Sequence, residues 1–149
     1  MRIHLKARIR PEKSSRNIAS ALLTGDARGD HILDGLKGEN LLRSGKLHVD
    51  LLKVQHHGSN RNTTRGFFDS ITADTYVISA NGKYGNPDYD TLTWIVESAH
   101  VGTRQIGIIV TNATDSTRKL KQTHRPGKYG YSLTVKPKAE HSIAIELAS

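Results

Sequence analysis

A layered α/β fold, with one mixed sheet, helices over one of its faces and a hairpin at the C-terminal end, is the class the sequence predicts. Three observations predict it. Short apolar runs closed by Gly, Asp or Asn alternate with segments whose apolar residues recur at helical spacing. From Tyr129 onward the period becomes two, as in an antiparallel pair. A chain of 149 residues, 36% of them apolar, also has material for one core and not for two, so residues 1–149 are read as a single domain.

Met1 to Ile9 alternates, with Ile3, Leu5, Ala7 and Ile9 on one side and His4, Lys6 and Arg8 on the other, which predicts a half-buried strand. Pro11 to Asn17 is polar and turn-like. Ile18 to Leu23 is a short apolar strand that stops at Thr24-Gly25-Asp26. Asp30 to Leu42 spaces Ile32, Leu33, Leu36 and Leu41 as a helix does, although Gly35 and Gly38 weaken it. Val49 to Val54 is the next strand, ending in Gln55-His56-His57-Gly58-Ser59 and the polar loop Asn60 to Thr64. Arg65 to Ile71 predicts a short helix with Phe67, Phe68 and Ile71 inward. Tyr76 to Ser79 is a third strand, running into the Gly-rich turn Asn81 to Pro87. Pro87 suits the first turn of a helix that carries Leu92, Ile95 and Val96. Ile106 to Val110 is a fourth strand. Tyr129 to Val135 and Ile143 to Leu147 form the arms of the hairpin, with Lys136 to Glu140 as its polar turn.

Lys and Arg number 22 against 14 Asp and Glu, a net charge of +8 before any histidine is protonated. The surplus favours anionic partners (nucleic acid, phosphate esters or an acidic protein face), and it is also what solubility alone gives. With two Phe, one Trp and five Tyr, a base-stacking platform has little to draw on. The absence of cysteine excludes disulfides and thiolate metal sites. No apolar run reaches the roughly 18 residues of a membrane span, so no membrane partner is expected. The opening MRIHLKARIRPEK lacks the apolar centre of a secretory signal, which makes the cytoplasm the expected compartment.

In a layered α/β fold, chemistry collects in loops past the carboxyl ends of the strands. Asp26, His56-His57 and Tyr84-Gly85-Asn86-Pro87 each follow a predicted strand. A carboxylate at Asp26 can bind a cation, or it can cap its own turn through backbone N–H groups. Imidazole is a neutral metal ligand and a general base near pH 7. Two histidines in succession at a strand end point to opposite faces of the pleat, so His56 and His57 are expected to act differently: one as a ligand, the other toward substrate or water. The other reading is a pair of exposed loop histidines. Gly58-Ser59 offers backbone N–H groups and a hydroxyl to an anion. His4, His31, His48, His100, His124 and His141 are isolated and read as surface or structural residues.

LLTGDA at Leu22 to Ala27, LLKVQHHGSNRN at Leu51 to Asn62 and VISANGKYGNPDYDTL at Val77 to Leu92 together resemble the metallo-β-lactamase superfamily. The branch they are most similar to is the hydrolase-like domain of the competence DNA-uptake channel protein. The resemblance covers about residues 17–96 in order, spacing and flanking residues. It implies the C-terminal half of an αββα sandwich. It also implies a metal-dependent hydrolase of phosphodiesters or other anionic esters, with two zinc ions in the family. Asp26 then bridges the metals. His57, just before Gly58, ligates the second, and His56 lies beside them as a catalytic group with Asp26. Ser59, Asn60, Tyr84 and Asn86 contact substrate. The family's HxHxDH motif occurs nowhere in the chain, only His4 is offered for a further family histidine, and Asn86 stands where the branch often has His. The zinc site implied here is therefore partial.

Two functional readings follow. One is the C-terminal part of a zinc-dependent hydrolase, with the missing ligands supplied by an N-terminal half or another chain. The other is a non-catalytic basic binding module, a remnant that kept the fold and lost the chemistry. A catalytic zinc takes three protein ligands and a water, so the chain alone is expected to be inactive. Half a sandwich leaves one apolar sheet face to be covered by an N-terminal half, an identical chain or the tail Tyr129 to Leu147 folded back. That tail is short and carries Lys136 and Lys138 in its turn, so a homo-oligomer is expected.

Overall fold

The computed structural model describes residues 2–8 and 19–148, so the turn predicted over Pro11 to Asn17 and the flanking Ile9 and Ile18 lie outside the described residues. Seven strands and five helices are described. The strands are β1 (Arg2–Arg8), β2 (Ala21–Leu23), β3 (Leu47–Lys53), β4 (Ile71–Ile78), β5 (Ile106–Val110), β6 (Tyr131–Val135) and β7 (Ser142–Ala148). The helices are α1 (Gly29–Gly38), α2 (Arg65–Ser70), α3 (Tyr89–Val101), α4 (Asp115–Thr123) and α5 (Pro126–Tyr129).

β2 to β6 form one five-stranded sheet in the order β2-β3-β4-β5-β6, with every neighbouring pair parallel. The spatial order is the sequence order. Parallel crossovers are almost always right-handed, so an order that never reverses sends every connecting helix over the same face. The main core is built that way. Val49, Leu52, Ile71, Tyr76, Ile78, Ile106 and Ile108 pack against Phe67, Phe68, Leu92, Ile95 and Leu120, with Ile32, Leu33 and Leu36 of α1 at one side. The helix-facing positions step from Val49 to Leu52 in β3 and from Ala73 to Tyr76 in β4, three residues where a regular strand takes two. The buried Tyr76 hydroxyl accepts the Ala73 N–H at 3.1 Å within that step. At the sheet's far edge Tyr131 donates its hydroxyl to the His124 carbonyl at 2.8 Å, and burial pushes its phenol up to about 12.

The other face carries Leu51, Val77 and Ile109, and these meet Ile143, Ile145 and Leu147 of β7. β7 pairs in parallel with β1, from Arg2 opposite Ser142 to Arg8 opposite Ala148, as a separate two-stranded ribbon. This corrects the expected hairpin and the expected mixed sheet. β6 and β7 are not partners: β6 lies parallel beside β5, and β7 crosses to the other layer. The reason is where apolar area is available. On that face β6 presents Ser132 and Thr134, which stay exposed, whereas the middle of the sheet presents Leu51 and Val77. An alternating apolar strand gains most by lying over the middle.

Two further differences concern helices. α4 was not anticipated, because DSTRKLKQT buries only Thr117 and Leu120 and so has almost no apolar stripe. Its start is set by a capping box between Thr114 and Thr117. Pro87 does not open α3; Asp88 is the N-cap and Pro87 precedes it. No helix among the described residues is long and apolar enough to cross a membrane.

Candidate functional site

With β2 to β6 parallel, the loops after all five strands emerge at one edge. Four of them line a cleft of about 1280 Å³. The β3 loop gives His56, His57, Ser59, Asn60, Arg61 and Asn62, and the β4 loop gives Ser79, Asn81, Tyr84, Asn86 and Asp88. Thr111 and Asn112 come from β5, and Lys136, Lys138, Glu140 and His141 from the connection between β6 and β7. The structure therefore brings together six of the seven residues named from the sequence. Asp26, the seventh, sits next door and does not line the cleft. Its loop is tied to the histidines by the His56 N–H, which donates to the Gly25 carbonyl at 3.0 Å. The Asp26 carboxylate is exposed and makes no hydrogen bond or ion pair among the described residues, so it does not cap its own turn.

The two histidines are not arranged as two successive strand residues. They belong to a short helical turn, Gln55–Gly58, in which His56 (φ 43°), His57 (φ 58°) and Gly58 (φ 79°) are all left-handed. Such a run curls the chain, so the rings lie 6.1 Å apart at 75° to each other and line one cleft. The expectation of opposite faces fails for that reason. L-residues in this region store backbone strain, of order 1–2 kcal/mol each. Strain of this kind is relieved by glycine. His56→Gly is therefore expected to raise stability by about 0.5–1 kcal/mol in urea unfolding while removing an imidazole from the cleft. A loss of stability would show that the His56 ring holds the turn by packing.

Each ring has a distinct environment. The Nδ1 of His57 faces the backbone carbonyl of Ser79 at hydrogen-bond distance. A carbonyl only accepts, so Nδ1 carries the proton and donates it. In the neutral ring the lone pair is then on Nε2. His56 has a buried Nδ1 with no hydrogen-bond partner among the described residues. The preceding Gln55 is fully buried, and among the described residues neither end of its amide has a hydrogen-bond partner.

The remaining residues are partly committed to holding loops together. The Ser59 N–H donates to the His56 carbonyl at 3.0 Å, so the anticipated free N–H at that position is used inside the turn. The Asn60 N–H donates to Asp88 Oδ2 at 2.8 Å and its amide to Asp90 Oδ2 at 3.1 Å, which clamps the β3 loop to the start of α3. The Asp88 N–H donates in turn to the Gly58 carbonyl at 2.9 Å. Tyr84 is 79% exposed at the lip of the cleft, with Lys83 Nζ 5.2 Å from its ring centre. Arg61, Thr111, Asn112, Lys136, Lys138, Glu140 and His141 were not anticipated, and His141 is not the isolated residue it looks in the sequence. Their only signal in the sequence is position after a strand, and for Lys136 to His141 the alternation on either side masks even that.

Among the described residues, no three His, Cys, Asp or Glu side chains come together in a way that could hold a metal ion. These residues alone do not fit a catalytic zinc, which takes three protein ligands and an open position. Compared with known proteins, the chain matches no protein-family model, no curated protein and no solved structure.

Proposed function

We propose that the chain is the C-terminal part of a metal-dependent hydrolase of metallo-β-lactamase type. It acts on phosphodiesters or other anionic esters in the cytoplasm and depends on ligands from an N-terminal half or another chain. The observation that carries this reading is the His57 ring. Metal-ligating histidines characteristically give their second N–H to a carbonyl or carboxylate, and His57 gives its Nδ1–H to Ser79, leaving Nε2 for a ligand. Zinc, when bound, supplies a Lewis acid and an activated water. The chain's own residues bind and orient. Asp26 and His57 offer two ligand positions, and His56 stands beside them. Ser59, Asn60, Tyr84 and Asn86 line the cleft where an ester lies, and the +8 charge draws it in.

A second reading, a binding module without catalysis, is favoured by the lack of a three-residue donor group among the described residues. Zinc binding separates the two. We expect weak zinc binding that is lost to a mild chelator and falls about tenfold or more in His57→Ala, with no phosphodiester turnover by the chain alone. Zinc affinity unchanged in both His57→Ala and Asp26→Ala would leave the binding module. Stoichiometric zinc surviving the chelator, together with turnover, would mean a complete site and overturn the dependence on a second part.

A further inference from the structure

We propose that the cleft grips an extended anion carrying several phosphate groups, with Arg61 and Lys138 at its two ends and the connection between β6 and β7 as the wall that selects for length. This rests on the anionic-ester reading above and narrows its ligand.

The wall is a built turn. The Lys136 N–H extends the sheet ladder to the Val110 carbonyl at 2.9 Å, and the Glu140 N–H closes on the Pro137 carbonyl at 3.1 Å. The Lys136 ammonium donates to the carbonyls of Pro137 and Glu140, which fixes its position in the turn while leaving its charge. Lys138 lies between them, exposed at the tip. Arg61 is exposed in the β3 loop, and its backbone N–H is turned toward Ser59 Oγ at 3.4 Å. Among the described residues neither the Arg61 guanidinium nor the Lys138 ammonium makes an ion pair. The two acids of the cleft are Asp88, one of whose oxygens is taken by the Asn60 N–H, and Glu140 on the turn itself. The cleft thus carries three cations against two carboxylates, with Arg61 set apart from Lys136 and Lys138.

Their separation follows from the topology. Arg61 follows β3 and Lys138 follows β6, three inter-strand spacings away in the order β3-β4-β5-β6. At about 4.8 Å per spacing, the strand ends that carry them are roughly 14 Å apart. A lone phosphate at one end leaves the other cation unused. A chain of phosphates reaches both, and the cleft of about 1280 Å³ exceeds what a small ester fills. Charge-assisted contacts at both ends then act on one ligand, so affinity grows with length rather than with charge alone.

The test uses the metal-free chain with orthophosphate, pyrophosphate and medium-chain linear polyphosphate, by calorimetry at fixed salt. Polyphosphate is expected to bind at least about tenfold more tightly than pyrophosphate. Arg61→Ala and Lys138→Ala are each expected to bring polyphosphate affinity down about tenfold, toward that of pyrophosphate. Lys119→Ala, on α4 with its ammonium over the Tyr89 ring, is expected to change nothing. Equal affinity for pyrophosphate and polyphosphate overturns the clamp. So does an equal loss in Lys119→Ala, which would show only a diffuse basic surface. Because no metal is present, zinc binding that still depends on His57 alongside such a failure leaves the hydrolase reading standing. The converse result strikes that reading and leaves the clamp.

Discussion

Gly58→Ala is expected to cost roughly 3 kcal/mol and to disorganise the histidine turn. Two terms add. The position has φ +79°, where an L side chain costs about 1–2 kcal/mol. A Cβ there would also lie 2.8 Å from the Pro87 Cβ and 3.3 Å from both the Pro87 Cα and the Ile78 Cγ2. Pro87 cannot give way freely, because the Gly58 carbonyl accepts the next residue's N–H and the Pro87 carbonyl accepts the Ser116 hydroxyl. Overpacking of that kind costs about 1–3 kcal/mol more. For a chain of this size the sum is a fall in Tm of about 6–12 °C. The same substitution is expected to release the His57–Ser79 hydrogen bond, visible as a change in the His57 ring nitrogen resonances. An unchanged Tm would mean that the β3 and β4 loops are not packed as closely as the Gly58–Pro87 contact indicates.

Replacing Ile145 and Leu147 together by Asp is expected to lift the β1–β7 ribbon off the sheet. Both side chains are buried, at 6% and 7% exposure, against Leu51 and Val77, which are fully buried. Losing the burial of two such side chains costs about 1.5–3 kcal/mol each, and a carboxylate is not carried into an apolar layer. The exposed face then carries Leu51, Val77 and Ile109 as one patch, which drives association. The double variant is expected to lose roughly 3–6 kcal/mol in urea unfolding and to sediment at a higher mean mass than the parent. Unchanged sedimentation and an unchanged midpoint would mean that something other than β7 shields the face.

These two sites also divide what the sequence discloses from what it withholds. β5 was legible to the residue, and α2 nearly so, because Ile106 to Val110 and Phe67-Phe68 are short apolar blocks with polar flanks. Period two in the last segment disclosed strands, but alternation carries no information about partner or direction. The choice between a hairpin and a crossing was decided by Leu51 and Val77, about 95 and 70 residues earlier in the chain. At the site, the convergence of the β3 and β4 loops, with the β2 loop beside them, followed from strand order. The left-handed turn at His56 and His57 did not, since nothing in the local sequence forces an L-residue to positive φ. Arg61 and Lys138 look like ordinary loop cations until β3 and β6 are known to share an edge.

The pairing of Arg2 with Ser142 joins the first and last strands of the described chain, whereas the five-stranded sheet is assembled from neighbours. Each strand from β3 to β6 finds the one before it across a single helical or loop excursion, so the layer can grow in the order the chain is made. The ribbon instead waits for both ends. Loop closure costs grow only logarithmically, and bringing residue 2 to residue 142 costs roughly 1.5 kcal/mol more than bringing Leu47 to Ile71. That difference is small for a folded protein and large for an intermediate. A sheet that forms with its helices before the clasp shuts shows its apolar back, Leu51 and Val77, to other chains. Amide protons of β7 should exchange before those of β4, through opening of the clasp alone.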